Sequence, residues 1–171
     1  MAGGNTIAEL IPHAGGMSLL ERVIEWTPEG VMLATATHRS HDNPLRSGGR
    51  LRAVHLCEYG AQAMAVHGGL VARAVGETAR PGLLVSLRDV HLLVAYIDDL
   101  PGELVVEAGR LHATPGSWQY WFRVLHASKE LASGRAAVML RPGSSRALNG
   151  VGTGQRPPNS APRSSRGPDS A

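Results

Sequence analysis

Glu58 and Gln62 stand four residues apart in a run rich in Ala, Leu, Val and Met. On a helix that spacing puts both on one face, where the amide can orient the carboxylate. Burying an ionised carboxylate is costly unless it is paired or shifts its pKa, and both responses are common in active sites. The plainer reading is a helix-start glutamate that favours the dipole and reaches water. His38 opens a polar loop 20 residues before Glu58. Imidazole titrates near neutrality and suits proton transfer, although a loop-bracing histidine has the same appearance in a sequence. His41 is equally well placed. His55 and Cys57 show no recognised zinc spacing, so no metal is expected, and Cys57 reads as a small core residue. Gly15-Gly16 and Gly48-Gly49 read as turns. There is no Gly-x-Ser-x-Gly, phosphate loop or dinucleotide fingerprint, so no cofactor is expected.

These side chains need a scaffold. Residues 53–74 read as one long helix, apolar nearly all round and therefore buried. Two strands precede it, 18–26 and 31–37, joined by the turn Thr27-Pro28-Glu29-Gly30. Four strands follow, 83–97, 103–112, 117–125 and 130–140, with short turns such as Thr114-Pro115-Gly116. Short turns between consecutive strands imply an antiparallel sheet. The expected order is β-β-α-β-β-β-β, an α+β domain with one buried helix against a curved sheet. Residues 6–11 read as a short helix, with Thr6 and Glu9 spaced as a capping box.

The chain has 171 residues, enough for one domain with a core. We expect that domain over residues 1–141. Residues 142–171 are dominated by Gly, Ser, Pro, Arg and Asn and read as a disordered tail. The tail holds four Arg and one Asp, which is the whole net charge of +3. The remainder is neutral overall, and aromatics make up only 4%. A nucleic-acid surface is therefore not expected. A single cysteine excludes an intrachain disulfide and fits a reducing, cytoplasmic compartment. No export signal and no membrane-spanning apolar stretch is visible. Arg39, Arg46, Arg50 and Arg52 cluster before the long helix; they either steer an acidic partner or form a solvated loop.

Two stretches carry a family resemblance. Ile11-Pro12-His13 followed by Ser18-Leu19-Leu20-Glu21-Arg22-Val23 resembles the Leu-Pro-His … Leu-Leu-Asp-Arg-Val opening of (3R)-hydroxyacyl-acyl carrier protein dehydratases. Glu58-Tyr59-Gly60-Ala61-Gln62 is similar to the Glu-x-x-Ala-Gln stretch of their central helix. With Thr37-His38-Arg39 and Asp42-Asn43-Pro44-Leu45, the run looks most like the thioester dehydratase-like proteins of aryl polyene and related polyketide pathways. The resemblance covers about residues 6–140. It implies a hotdog fold, a sheet wrapped around one helix, and a homodimer or a heterodimer with another hotdog subunit whose sites form where protomers meet. It implies dehydration of a 3-hydroxyacyl thioester, on acyl carrier protein or coenzyme A, without a cofactor. The family's acid maps onto Glu58, with Gln62 in support. The family's histidine segment, Gly-His-Phe-Pro-Gly-x-Pro, has no counterpart here, and His38 is the substitute at the end of the same strand. In that reading His38 is the base, Glu58 the acid, and free N–H groups around residues 53–57 polarise the thioester carbonyl. The rival readings are an acyl thioesterase using Glu58, and a non-catalytic partner that binds acyl carrier protein.

Overall fold

The computed structural model describes residues 17–141 together with Ile7 and Leu10. The expected helix at 6–11, the Ile11-Pro12-His13 motif and the tail at 142–171 lie outside the described residues, apart from Ile7 and Leu10. Those two are buried.

Six strands and one helix make the fold. β1 (Arg22–Trp26) and β2 (Gly30–Thr35) form the first hairpin. Helix α1 (Leu56–Ala74) follows, and then come β3 (Gly82–Leu92), β4 (Leu104–Ala113), β5 (Ser117–His126) and β6 (Lys129–Leu140). The sheet is antiparallel throughout, in the order β1-β2-β4-β5-β6-β3. The chain therefore leaves β2 through the helix, lays β3 on the far edge, and returns to fill the middle. This is the expected element order, and the arrangement is the hotdog fold.

The pleat sorts the central strands. Leu33, Val106 and Val124 lie in register across β2, β4 and β5 and are fully buried toward α1. Met32, Glu107 and Arg123, one position along, fall on the opposite face. Extra residues in β1, β3, β4 and β6 shift the register and add twist, which curves the sheet around the helix. Gly60 lets α1 come close: a Cβ there would sit 2.6 Å from Phe122 of β5. At the far end of the helix, fully buried His67 reaches the first hairpin. Its Nε2–H donates to Thr27 O (3.1 Å), and its Nδ1 accepts from Tyr120 OH (2.9 Å).

Three strand ends differ from expectation. β1 starts at Arg22 rather than residue 18, because both backbone groups of Leu19 are taken elsewhere (see below). β2 stops at Thr35, where the chain folds into the 3-10 turn Thr37–Arg39. β3 stops at Leu92 rather than residue 97. Beyond it, Ala95 O accepts from Ala53 N–H (2.9 Å) and Ile97 N–H donates to Leu51 O (3.0 Å), so this stretch braces the entry to the helix instead.

Candidate functional site

The site residues sit where three segments meet: the approach to β1, the turn after β2, and the first two turns of α1. Leu19 is the junction. Its N–H donates to Gln62 Oε1 (2.9 Å), and its carbonyl accepts from the hydroxyls of Thr35 (2.6 Å) and Thr37 (2.7 Å). Gln62 is buried, and its amide nitrogen donates to Met17 O (2.8 Å) and to Glu58 Oε1 (3.2 Å). The expected Gln62–Glu58 contact is therefore present. Gln62 also ties down the segment leading into β1, which spacing alone did not reveal. Glu58 is half-buried in the first turn of α1.

His38 lies in the 3-10 turn and is fully buried, whereas His41 is exposed. The structure thus separates two histidines that sequence left level. A carbonyl only accepts, so the 3.0 Å contact from His38 Nε2 to Leu100 O puts the ring proton on Nε2. Nδ1 then carries the lone pair. It is buried and has no hydrogen-bond partner, alone in this among buried side-chain atoms of the described residues. Burial, helped by the positive field of Arg39, His126 and Arg46, outweighs the Leu100 hydrogen bond and holds the His38 pKa below the ordinary histidine value. The ring is therefore neutral at pH 7, with its basic nitrogen unspent. His38 is hydrogen-bonded to neither Glu58 nor Gln62. It is linked to them through Thr37, Leu19 and Gln62.

The surroundings of the turn are tightly bonded. Tyr59, next to Glu58 on α1, is fully buried, and its hydroxyl lies 3.0 Å from Asn43 Nδ2 and 3.1 Å from Thr37 Oγ1. Arg46 donates to Ser40 O (2.6 Å), Gly49 O (2.7 Å) and His38 O (3.1 Å). Arg50 pairs with Asp98 (2.8 Å) and stacks on Tyr96. The arginine cluster expected before the helix is thus divided. Arg46 and Arg50 brace loops, while Arg39 and Arg52 are exposed. Sequence reasoning gave no role to Asn43 or Tyr59. The available signal was a tyrosine hydroxyl on a buried helix face, which must find a partner.

One other expectation needs correction. The N–H groups around residues 53–57 are largely spent: Ala53 donates to Ala95 O, His55 to Arg52 O, and Leu56 to the carbonyls of Ala53 and Val54. The stretch after β3 takes the first of these, and the 3-10 turn Ala53–His55 takes the other two before the regular helix is under way. Two shallow hollows lie mainly on the outer face of the sheet, one beside Trp26, Met32 and Trp121 and one beside Asp89, Arg123 and Arg135. Neither touches His38, Glu58 or Gln62. Among the described residues no cluster of His, Cys, Asp and Glu is placed to hold a metal ion. No described helix is long and apolar enough to cross a membrane.

A search of the curated proteins finds none that matches the chain. Among solved structures, it is similar to a chain of the dehydratase heterocomplex ApeI:P from Xenorhabdus doucetiae. The identity is 21% and the TM-score 0.74, covering 82% of this chain and 93% of that one. It also resembles a hypothetical thioesterase protein with coenzyme A from Streptococcus pneumoniae (11% identity, TM-score 0.52, 70% and 84% covered). A thioesterase family protein from Silicibacter pomeroyi is similar too (14% identity, TM-score 0.53, 71% and 85% covered). These likenesses establish the hotdog fold. The model of the ApeP-like family, described as ApeP dehydratase, matches residues 5–149, and the chain belongs to that family of dehydratases.

Proposed function

We propose that the chain dehydrates a 3-hydroxyacyl thioester to the 2-enoyl thioester, with the acyl group carried on acyl carrier protein or coenzyme A. The pathway would be one making fatty acids, polyketides or aryl polyenes. The observation that carries this reading is His38: a buried neutral ring whose proton is held on Nε2 and whose Nδ1 lone pair is free. Nδ1 takes the α-proton, and the C–H electron pair becomes the new C=C bond. The C–O bond to the 3-hydroxyl breaks, and Glu58 in its acid form supplies the proton that lets water leave. Gln62, donating to Glu58 Oε1, holds the carboxyl in aim. Charge gathering on the thioester oxygen is favoured by the positive end of α1. The protons on His38 and Glu58 then re-equilibrate through solvent, and the reaction needs no redox partner.

The reading includes a second hotdog subunit. β3 is one of the sheet's two outer strands and, among the described residues, pairs only with β6. All but one of its 11 residues are exposed, and Leu83, Val85, Leu87 and Leu92 stand open to solvent. A long apolar strand with a free edge is a template for pairing. A partner strand there would cover it and close a site beside the first turns of α1. Leu87→Arg is expected to convert the assembly to a single chain in light scattering. An unchanged mass would remove this edge as the interface.

The test of activity is mass spectrometry of a 3-hydroxyacyl carrier protein incubated with the protein, beside His38→Ala and Glu58→Gln. Loss of one water from the acyl group is expected, with both variants slowed by roughly 100-fold or more. Free hydroxy acid would make the protein a thioesterase. An untouched substrate that still binds would make it a carrier-protein-binding subunit.

A further inference from the structure

We propose that Tyr59 is a positioning residue: its hydroxyl, with Asn43 and Thr37, locks the turn that carries His38 onto the helix that carries Glu58. The proposal rests on the dehydratase reading of those two side chains.

The turn Thr37–Arg39 has no side-chain cap of its own. It is only three residues long, so its place must be set from outside. The hydrogen bonds that set it have a fixed direction. Leu19 O accepts, so Thr37 gives its hydroxyl proton there (2.7 Å). Tyr59 must then be the donor in its 3.1 Å contact with Thr37 Oγ1. Its oxygen accepts from Asn43 Nδ2 (3.0 Å). Asn43 gives its other amide proton to Thr37 O (3.0 Å) and takes Leu45 N–H on Oδ1 (3.0 Å). The relay therefore runs Asn43 to Tyr59 to Thr37 to Leu19, and Leu19 N–H continues it to Gln62 and so to Glu58.

Of the relay's α1 members, Glu58, Tyr59 and Gln62, Tyr59 is the one bonded directly to the turn, at Thr37. Arg46 holds the other flank of the turn, through His38 O and Ser40 O, but belongs to the loop. Phenylalanine would fill most of the same buried volume, so what the hydroxyl adds is direction and attachment. Burial raises the phenol's pKa, which keeps it protonated and a donor.

The experiment compares wild type, Tyr59→Phe, Thr37→Val and Thr37→Ser as full chains. It measures kcat and KM on a 3-hydroxyacyl carrier protein. It also follows the His38 and His67 imidazoles by NMR of histidine-labelled protein, with the two signals assigned by His38→Gln and His67→Gln. The groups around the His38 ring are Leu100 O, Arg39, Arg46 and His126. The expected result for Tyr59→Phe is a kcat lower by about 10- to 100-fold with KM within about twofold, because small misplacements of a reacting group cost that much. The His38 titration should move toward that of free histidine while His67 stays put. Thr37→Val should copy this, and Thr37→Ser, which keeps a hydroxyl, should restore wild-type behaviour. If Tyr59→Phe fails to fold, the Thr37 pair decides alone. Unchanged kcat and unchanged His38 signal overturn the proposal. So does a loss of kcat in which His67 shifts as far as His38, since that is general loosening. If wild type does not dehydrate the substrate, the dehydratase reading has failed, and the His38 signal alone then decides: shifted, the attachment stands; unshifted, it falls.

Discussion

Gly60→Ala gives the sharpest test of how α1 is set against the sheet. A Cβ at Gly60 would lie 2.6 Å from Phe122 Cδ2 and 2.7 Å from Cγ, closer than carbon atoms approach. The ring cannot simply slide away. On its other side the backbone of Gly134 leaves room that a Cβ would fill at 2.8 Å from Cε1. The helix or the ring must move, and overpacking of this kind costs about 1–3 kcal/mol. Replacing a helical glycine by alanine returns about 1 kcal/mol. With the ring held on both sides the clash belongs in the upper half of its range, so the net loss is about 1–2 kcal/mol. For a domain of this size that is a fall in Tm of roughly 2–8 °C. Gly68→Ala is the internal control. Its Cβ meets only Trp118 Cζ3, at 3.3 Å, so the propensity gain should leave it neutral or slightly stabilised. Phe122→Leu should relieve Gly60→Ala, and the coupling can be read from a double-mutant cycle by denaturant unfolding. If Gly60→Ala melts at or above the temperature of Gly68→Ala, the close approach of helix and ring is not what fixes α1, and the packing argument fails.

Two further predictions concern stability. Burial, with Arg110 beside it, holds His67 below the ordinary histidine pKa despite its bond to Thr27 O. The unfolded chain therefore binds the proton first. Stability should be flat above about pH 7.5 and fall as pH drops below about 6.5, with a slope of up to about 1.4 kcal/mol per pH unit for each such histidine. His67→Gln should flatten that slope in denaturant unfolding at pH 7.5 and 5.5; an unchanged slope would acquit His67. Gln62→Leu strands the Leu19 N–H and Met17 O and should cost about 1–3 kcal/mol, read as a fall in Tm. A Tm within a degree of wild type would mean that Gln62 does not tie down the entry to β1.

Elements with a local cause were legible in the sequence. The helix declared itself through an apolar run of good helix formers, and Thr27-Pro28-Glu29-Gly30 and Thr114-Pro115-Gly116 closed turns where expected. Contact between Glu58 and Gln62 followed from helical geometry alone. What stayed hidden depends on partners far along the chain. The ring proton of His38 is held by Leu100 O, 62 residues away, so neither its burial nor its tautomer can be read from its neighbours. The end of β3 was misplaced for the same reason. Residues 93–97 have strand-like composition, but only Leu93 N–H still reaches β6, at Leu131 O; beyond it the backbone of Ala95 and Ile97 is claimed by Ala53 and Leu51. The N–H groups at the start of α1 looked free because propensity does not reveal that a 3-10 turn will use them first.

The cost of His38 argues for its use. An unsatisfied buried acceptor costs about 1–3 kcal/mol, a large share of the 5–15 kcal/mol that holds a domain together. A glutamine could donate to Leu100 O, and a leucine could fill the space without a polar atom, so neither bonding nor packing explains an imidazole with one nitrogen left bare. Nor does the fold use that nitrogen elsewhere. Buried His67, by contrast, spends both nitrogens, on Tyr120 and Thr27, and is accounted for as a strut between α1 and the first hairpin. The same side chain thus occurs twice in the core, once fully bonded and once with a lone pair kept free on a neutral ring. Only the second has the form of a proton acceptor. It is also the one joined, through Thr37, Leu19 and Gln62, to a half-buried carboxyl.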